Sequence, residues 1–259
     1  MDYLIYLITG LLAGVIGGLL GTGGCALMMP VIRFGFHFEP AIAVGTTLTA
    51  VVFTAASGAY QHIKMKNVDK STAWIVGTSG ILGVIIGSIV FGYLKNYGEI
   101  IDLILGIAFL VVSLRMIFEG FLGKGPKNLP AEVGIPGTKA NKSLLGTAIG
   151  FLTGIIGLGG GYALVPSFIY FFSAPVKLAI GTSMASFVWI ALVGALFKIY
   201  QGVVNIPVAI TLGIGALIGA IYGAKLVSKF KPNALKALFG ILFLYVSLKY
   251  ILTYFGIHI

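Results

Sequence analysis

Apolar residues run along this chain in long blocks separated by short polar turns. In the first half the blocks are Tyr3–Leu20, Gly24–Phe36, Ala41–His62, Ala73–Leu94 and Ile100–Leu122. In the second half they are Ser143–Gly157, Gly160–Phe172, Val176–Tyr200, Pro207–Ser228 and Asn233–Tyr254. None alternates apolar with polar at period two, so the blocks predict helices and argue against a β-barrel. Most reach the roughly 17–25 residues needed to cross a hydrocarbon core. The fold class expected is therefore an all-α polytopic membrane protein. The first two blocks of each half are short and flank a glycine-rich break. They are either half-helices of a hairpin or short spans.

The two halves repeat each other. Gly14–Pro30 reads GVIGGLLGTGGCALMMP, and Gly150–Pro166 reads GFLTGIIGLGGGYALVP. At an offset of about 136 residues, Gly21 falls on Gly157, Gly23 on Gly159, Gly24 on Gly160 and Pro30 on Pro166. Gly45-Thr46-Thr47 falls on Gly181-Thr182-Ser183, and Gly83 and Gly87 fall on Gly219 and Gly223. Two helical units broken by glycines at the same place point to a secondary transporter with its site between the repeats.

Charge placement gives an orientation. The loop after the third block of the first repeat carries Lys64, Lys66 and Lys70, whereas its counterpart around Val203–Ile206 carries no basic residue. The turn after the fourth block reverses the bias, with Lys225, Lys229, Lys231 and Lys236 in the second repeat. Basic loops stay on the cytoplasmic side, so the two repeats are expected to be inverted, with an odd number of segments each. The division is 1–122 for the first repeat, 123–142 for a Gly-, Pro- and Lys-rich cytoplasmic linker and 143–259 for the second repeat. Both termini then lie outside. After Met1-Asp2 the chain turns apolar with no basic n-region, which predicts a first membrane segment and not a signal peptide.

Composition agrees with this reading. Only 9% of residues are charged, against about 25% in soluble domains, and the mean hydropathy is +1.06. The net charge of +10 sits mostly in short loops. It is accounted for by orientation and by contact with anionic headgroups of the bilayer, not by nucleic acid. The single Cys25 excludes an intrachain disulfide and a cysteine metal cage. No HExxH, Walker lysine, GxSxG or usable His/Asp/Ser set is present, so no enzyme, cofactor or metal site is expected.

The candidate site follows from the breaks. Backbone interrupted at membrane depth must be buried in protein or line a wet cavity. A helix that restarts there presents N–H donors and a partial positive charge, which suits an anion. Gly21, Thr22, Gly23 and Gly24 in the first repeat, and Gly159, Gly160 and Gly161 in the second, are the expected substrate-binding backbone. Thr46, Thr47, Thr182 and Ser183, a turn into the third blocks, are the expected hydroxyl donors. The competing reading is a hydroxyl bonded to its own helix. His62 and Lys198, equivalent in register, are candidate mouth residues that draw anions in. All seven acidic residues map to block ends or loops, which disfavours a carboxylate proton relay or carboxylate Na⁺ site. Gly14-xxx-Gly18, Gly83-xxx-Gly87 and Gly219-xxx-Gly223 read as packing motifs.

At these residues the chain resembles the sulfite exporter TauE/SafE family. The two Gly-rich blocks carry the resemblance, together with AVGTTL and AIGTSM and with HIKMKNVD and KIYQGVVN. It extends from about Leu11 to Ile251. The resemblance implies transport of small sulfur-containing anions, such as sulfite and sulfonates including sulfoacetate, across a prokaryotic plasma membrane. The mechanism expected from the paired repeats is alternating access. The rivals are a passive anion channel and a non-transporting membrane scaffold.

Overall fold

The computed structural model describes residues 2–122, 134–157, 160–230 and 232–255. Among these the chain forms ten α-helices and no strand. They are α1 (Asp2–Leu20), α2 (Cys25–Pro30), α3 (Pro40–Lys64), α4 (Lys70–Leu94), α5 (Gly98–Leu122), α6 (Lys139–Ile156), α7 (Gly161–Phe171), α8 (Val176–Tyr200), α9 (Ile206–Leu226) and α10 (Pro232–Tyr254). A π-helical turn, Val31–Gly35, continues α2, and a 3₁₀ turn, Val227–Lys229, continues α9. Five helical stretches are long and apolar enough to cross a membrane: Tyr3–Leu20, Pro40–Lys64, Lys70–Leu94, Val176–Tyr200 and Ile206–Lys229. The 25 residues of α3, α4 and α8 extend about 37 Å at about 1.5 Å per residue, more than a hydrocarbon core of about 30 Å.

Local chemistry sets the helix starts. Asp69 and Asn205 each cap a fourth helix, accepting from Thr72 N–H at 3.2 Å and Val208 N–H at 3.3 Å. Thr138 caps α6 by accepting from Asn141 N–H at 3.2 Å. That cap moves one expected boundary. The linker was expected to run to Lys142, but Lys139–Lys142 form the first turn of α6. Lys142 is buried, and its ammonium donates to Thr72 Oγ1 at 2.7 Å and Ile135 O at 2.6 Å. Residues 123–133 of the expected linker lie outside the described ones.

Two glycine seams hold the helices together. Along α1, methyl groups on Gly10, Gly14 and Gly18 would strike backbone of Leu212, Ala216 and Ala220 on α9. In return, Gly215, Gly219 and Gly223 of α9 press on Leu7, Leu11 and Val15. Gly146, Gly150 and Gly154 of α6 meet Val76, Gly80 and Val84 of α4, and Gly83 and Gly87 meet Thr147 and Phe151. The second seam is the first displaced by the repeat offset. Numbers rise together across each seam, so α1 runs parallel to α9, and α6 parallel to α4. Helices α3 and α8 cross in the opposite sense, with Leu48 on Gly194 and Gly58 on Met184. Lipid offers no hydrophobic drive for helices to associate, so close backbone approach with its dispersion and Cα–H···O contacts carries the packing. The Gly-xxx-Gly pairs are thus packing motifs, as expected.

The outer faces are apolar. Leu4, Ile8 and Leu12 of α1, Leu82, Ile86 and Ile89 of α4, and Ile210 and Ile214 of α9 are all exposed. Such a continuous apolar surface is what a bilayer covers.

Candidate functional site at the paired helix breaks

The first break has a definite geometry. Helix α1 ends at Leu20, and Gly21, Gly23 and Gly24 have φ of 75°, 72° and 80°. Three left-handed residues in four positions require glycine, because a Cβ is strongly disfavoured there. Gly21 N–H and Thr22 N–H both turn back to Gly17 O, at 2.8 and 3.1 Å. This leaves Gly18 O without its usual helical donor. Thr22 is fully buried; its Oγ1 accepts from Gly24 N–H at 3.3 Å, and Cys25 Sγ donates to Thr22 O at 3.1 Å.

The second break also begins on a left-handed glycine. Gly157, at φ 68°, caps α6 and donates to Thr153 O at 2.7 Å. Gly160 opens α7 and accepts from Leu164 N–H at 2.7 Å. Gly159 lies outside the described residues. The breaks meet: a methyl group on Gly161 would strike Gly21 O and come within 2.6 Å of Thr22 Cα. Phe187 of α8 sits against both, near Gly23 and Gly160. Sequence reasoning passed over Phe187, because one aromatic in an apolar block carries no signal of its own.

The four expected hydroxyls are fully buried, but each already has a bond. Thr46 Oγ1 accepts from Asn205 N–H, and Thr182 Oγ1 accepts from Asp69 N–H, both at 3.0 Å. These are equivalent bonds at the repeat offset. Each ties a third helix to the loop entering the other repeat's fourth helix. Ser183 Oγ bridges Gly21 O at 2.8 Å and Ile180 O at 2.9 Å. Thr47 Oγ1 points to Met29 Sδ at 3.9 Å, the weakest of the four. Thr47 and Ser183 therefore face the short helix and the break, whereas Thr46 and Thr182 face loops.

His62 and Lys198 are not at open mouths in this conformation. Both are completely buried. His62 Nε2 lies 3.0 Å from Gly18 O, and since a carbonyl only accepts, Nε2 carries the hydrogen. Lys198 Nζ donates to Gly154 O at 2.7 Å and stands 3.0 Å from the centre of the Phe91 ring. Gly18 and Gly154 lie one turn before the breaks, so each basic side chain caps a carbonyl near the end of an interrupted helix.

Asp102 lies at a block end, as read from the sequence, and it is 2% exposed. It pairs with Arg33, Nη2 to Oδ2 at 3.1 Å. Arg33 sits in the π turn after α2, and only the folding back of that short segment brings it to α5. In the loop before α4, burial pushes the Asp69 carboxyl up. Hydrogen bonds from Thr72 Oγ1, Ile135 N–H and Thr72 N–H, with the Lys142 charge, outweigh this and hold it below the usual carboxylate range. Among the described residues no cluster of His, Cys, Asp and Glu has the makings of a metal site.

Comparison with known proteins follows the same lines. A probable membrane transporter protein of Bacillus subtilis, YunE, is 28% identical over 275 residues, covering 99% of each chain. One from Methanocaldococcus jannaschii is 26% identical over 255 residues, covering 90% of this chain and 89% of the relative. One from Xylella fastidiosa is 28% identical over 248 residues, covering 93% and 91%. No solved structure matches. The profile described as sulfite exporter TauE/SafE matches residues 6–250, nearly the whole chain, and with its apolar helices and paired glycine breaks the chain belongs to that family of membrane transporters.

Proposed function

We propose that this protein is a secondary transporter that moves small sulfur-containing anions, such as sulfite and sulfonates including sulfoacetate, across the plasma membrane by alternating access. The observation that carries the reading is the contact between the two glycine breaks at the centre of the bundle. Helices α2 and α7 each restart at one of these breaks, and the first-turn N–H groups of a restarting helix suit an oxyanion. The anion would bind between Gly21–Gly24, Gly159–Gly161, Thr46–Thr47 and Thr182–Ser183 once the repeats part.

Inversion of the repeats is part of the same proposal. It is supported by the antiparallel crossing of the register-equivalent α3 and α8, and by the parallel seams of α1 with α9 and α6 with α4. These directions support a topology with the Lys-rich loops on one side, in which both termini would lie outside. Rocking of one repeat against the other would expose the paired breaks to each side in turn.

The test is flux of labelled sulfite and sulfoacetate into liposomes holding the purified protein, with and without unlabelled anion inside. A carrier gives saturable flux stimulated by internal anion, whereas a channel gives large unitary currents and no stimulation. Thr47→Val and Ser183→Ala, made singly, remove the two hydroxyls that hold no loop. Stimulated flux should fall in each single variant; Thr47→Val, whose bond to Met29 Sδ is the weakest, should change the melting temperature little, whereas Ser183→Ala should also lower it, because Gly21 O loses its donor. Unchanged flux would remove these hydroxyls from the site, and no stimulation with any sulfur anion would end the carrier reading.

A further inference from the structure

The Arg33–Asp102 pair belongs neither to the glycine seams nor to the paired breaks. Arg33 Nε and Nη2 donate to the same oxygen, Asp102 Oδ2, at 3.3 and 3.1 Å, and Nη1 donates to Phe38 O at 3.2 Å. The other carboxylate oxygen, Oδ1, is buried and has no hydrogen-bond partner among the described residues. Tyr250 OH of α10, fully buried, also has none and lies within electrostatic reach of both charges. A buried arginine–carboxylate pair is ordinarily two-pronged, and it persists when its remaining lone pairs are satisfied. This one is satisfied on one oxygen only.

The arginine also has an open side. An open cavity of about 450 Å³ lies against it, lined by Arg33, Pro40, Asn96, Tyr97, Gly98 and Glu99. The Arg33 side chain is 23% exposed and that of Asp102 is 3% exposed. The guanidinium thus stands between a cavity and a buried carboxylate. The arrangement is confined to one repeat, because the register equivalents are Ile169 and Leu238. Arg33 rides on the π turn that extends the short helix from the first break, so a movement of that break moves the arginine. Such turns recur at functional sites.

We propose that Arg33 and Asp102 form a proton-gated oxyanion site, in which protonation of Asp102 releases the guanidinium to take a small sulfonate or sulfite from the cavity. The ligand class rests on the transport reading above. The carboxylate gains one proton and no other covalent bond changes, so the loaded site holds one proton with one anion. Carboxylate and oxyanion compete for the same planar fork, and removing the charge on one favours the other. The groups facing Asp102 are Arg33 from the second segment, Glu99 from its own helix and Tyr250 from α10. Lys249 of α10 stands across the Phe34 ring, 5.2 Å from its centre. Glu99 lines the cavity and opposes an anion there, so binding depends on the arginine being released.

The chain has two arginines, Arg33 and Arg115, and modification by phenylglyoxal can be read at each by mass spectrometry. At one fixed pH, Asp102→Asn should raise modification of Arg33 about tenfold, and sulfoacetate should protect it. In the unaltered chain, equilibrium binding of labelled sulfoacetate should tighten as pH falls, and Arg33→Gln should abolish that tightening. This second measurement stands even if Asp102→Asn fails to fold. Equal modification in the two proteins, no protection by sulfoacetate, or pH-independent binding would each overturn the site. Protection without any flux in liposomes would remove the transport reading and keep the site. Flux without protection would do the reverse.

Discussion

A methyl group placed on Gly161 has nowhere to go. Its Cβ would strike Gly21 O and lie 2.6 Å from Thr22 Cα and 2.8 Å from the Thr22 carbonyl carbon. All three are backbone atoms of the opposite break. That break is pinned by the bond from Gly21 N–H to Gly17 O and by the one from Ser183 Oγ to Gly21 O. No side chain can swing aside, so Gly161→Ala must push the breaks apart. Overpacking of this kind costs about 1–3 kcal/mol. With backbone on the receiving side, the upper part of that range, about 2–3 kcal/mol, is expected. It weakens the closed contact about 30- to 150-fold relative to any conformation in which the breaks are separate. Cys25, the single cysteine, reports on this contact, since it is fully buried beside the first break. Its labelling by a maleimide in native membranes should quicken by about that factor in Gly161→Ala. In Gly202→Ala, which lies in open space away from the breaks, it should not change. If Cys25 labels at the wild-type rate in Gly161→Ala, and the protein melts at the wild-type temperature, the breaks do not press on one another and the central argument fails.

Other consequences concern the scaffold. Thr46→Val and Thr182→Val should each lower stability by about 1–3 kcal/mol, because Asn205 N–H or Asp69 N–H loses its acceptor. Thr→Ser at either position should restore most of it, as read by thermal unfolding in detergent. Lost transport in the valine variants therefore reports on folding first. At the seam, Gly219→Ala meets Leu11 O and should cost about 1–3 kcal/mol. Gly202→Ala meets nothing and should cost only the left-handed backbone penalty of about 1–2 kcal/mol. Finally, the Asp69 carboxyl is held below its unfolded value, so its contribution is complete above about pH 4. It should be lost as pH falls through the lowered folded value. Asp69→Asn should flatten the acid side of the stability profile, and an unchanged profile would remove Asp69 from that role.

Much of this protein was determined by sequence alone. Long apolar runs without period-two alternation specify helices in lipid, because no other open structure satisfies its backbone there. Glycine pairs four apart, as at Gly14 and Gly18, announce close packing, since that spacing puts both on one helix face. The offset between GVIGGLLGTGGCALMMP and GFLTGIIGLGGGYALVP located the flanking helix ends at both breaks to within about one residue.

Which helix packs on which was decided only by the tertiary structure. Nothing local says that α1 lies along α9 and not along a helix of its own repeat, for the seam is a property of two surfaces. The fate of the hydroxyls was equally hidden. Thr46 and Thr47 are neighbours of the same type, yet a turn of about 100° per residue sends one to Asn205 N–H and the other to Met29 Sδ. His62 and Lys198 read as mouth residues because they are equivalent in register and near opposite faces of the expected topology; the fold gives each a helix carbonyl near a break and buries it. Asp102 read only as an acid at a block end. It is buried because the short segment after the first break returns and delivers Arg33 from 69 residues away. Periodicity fixes which residues share a face, but a polar partner distant in sequence exists only once the chain has folded back to supply it.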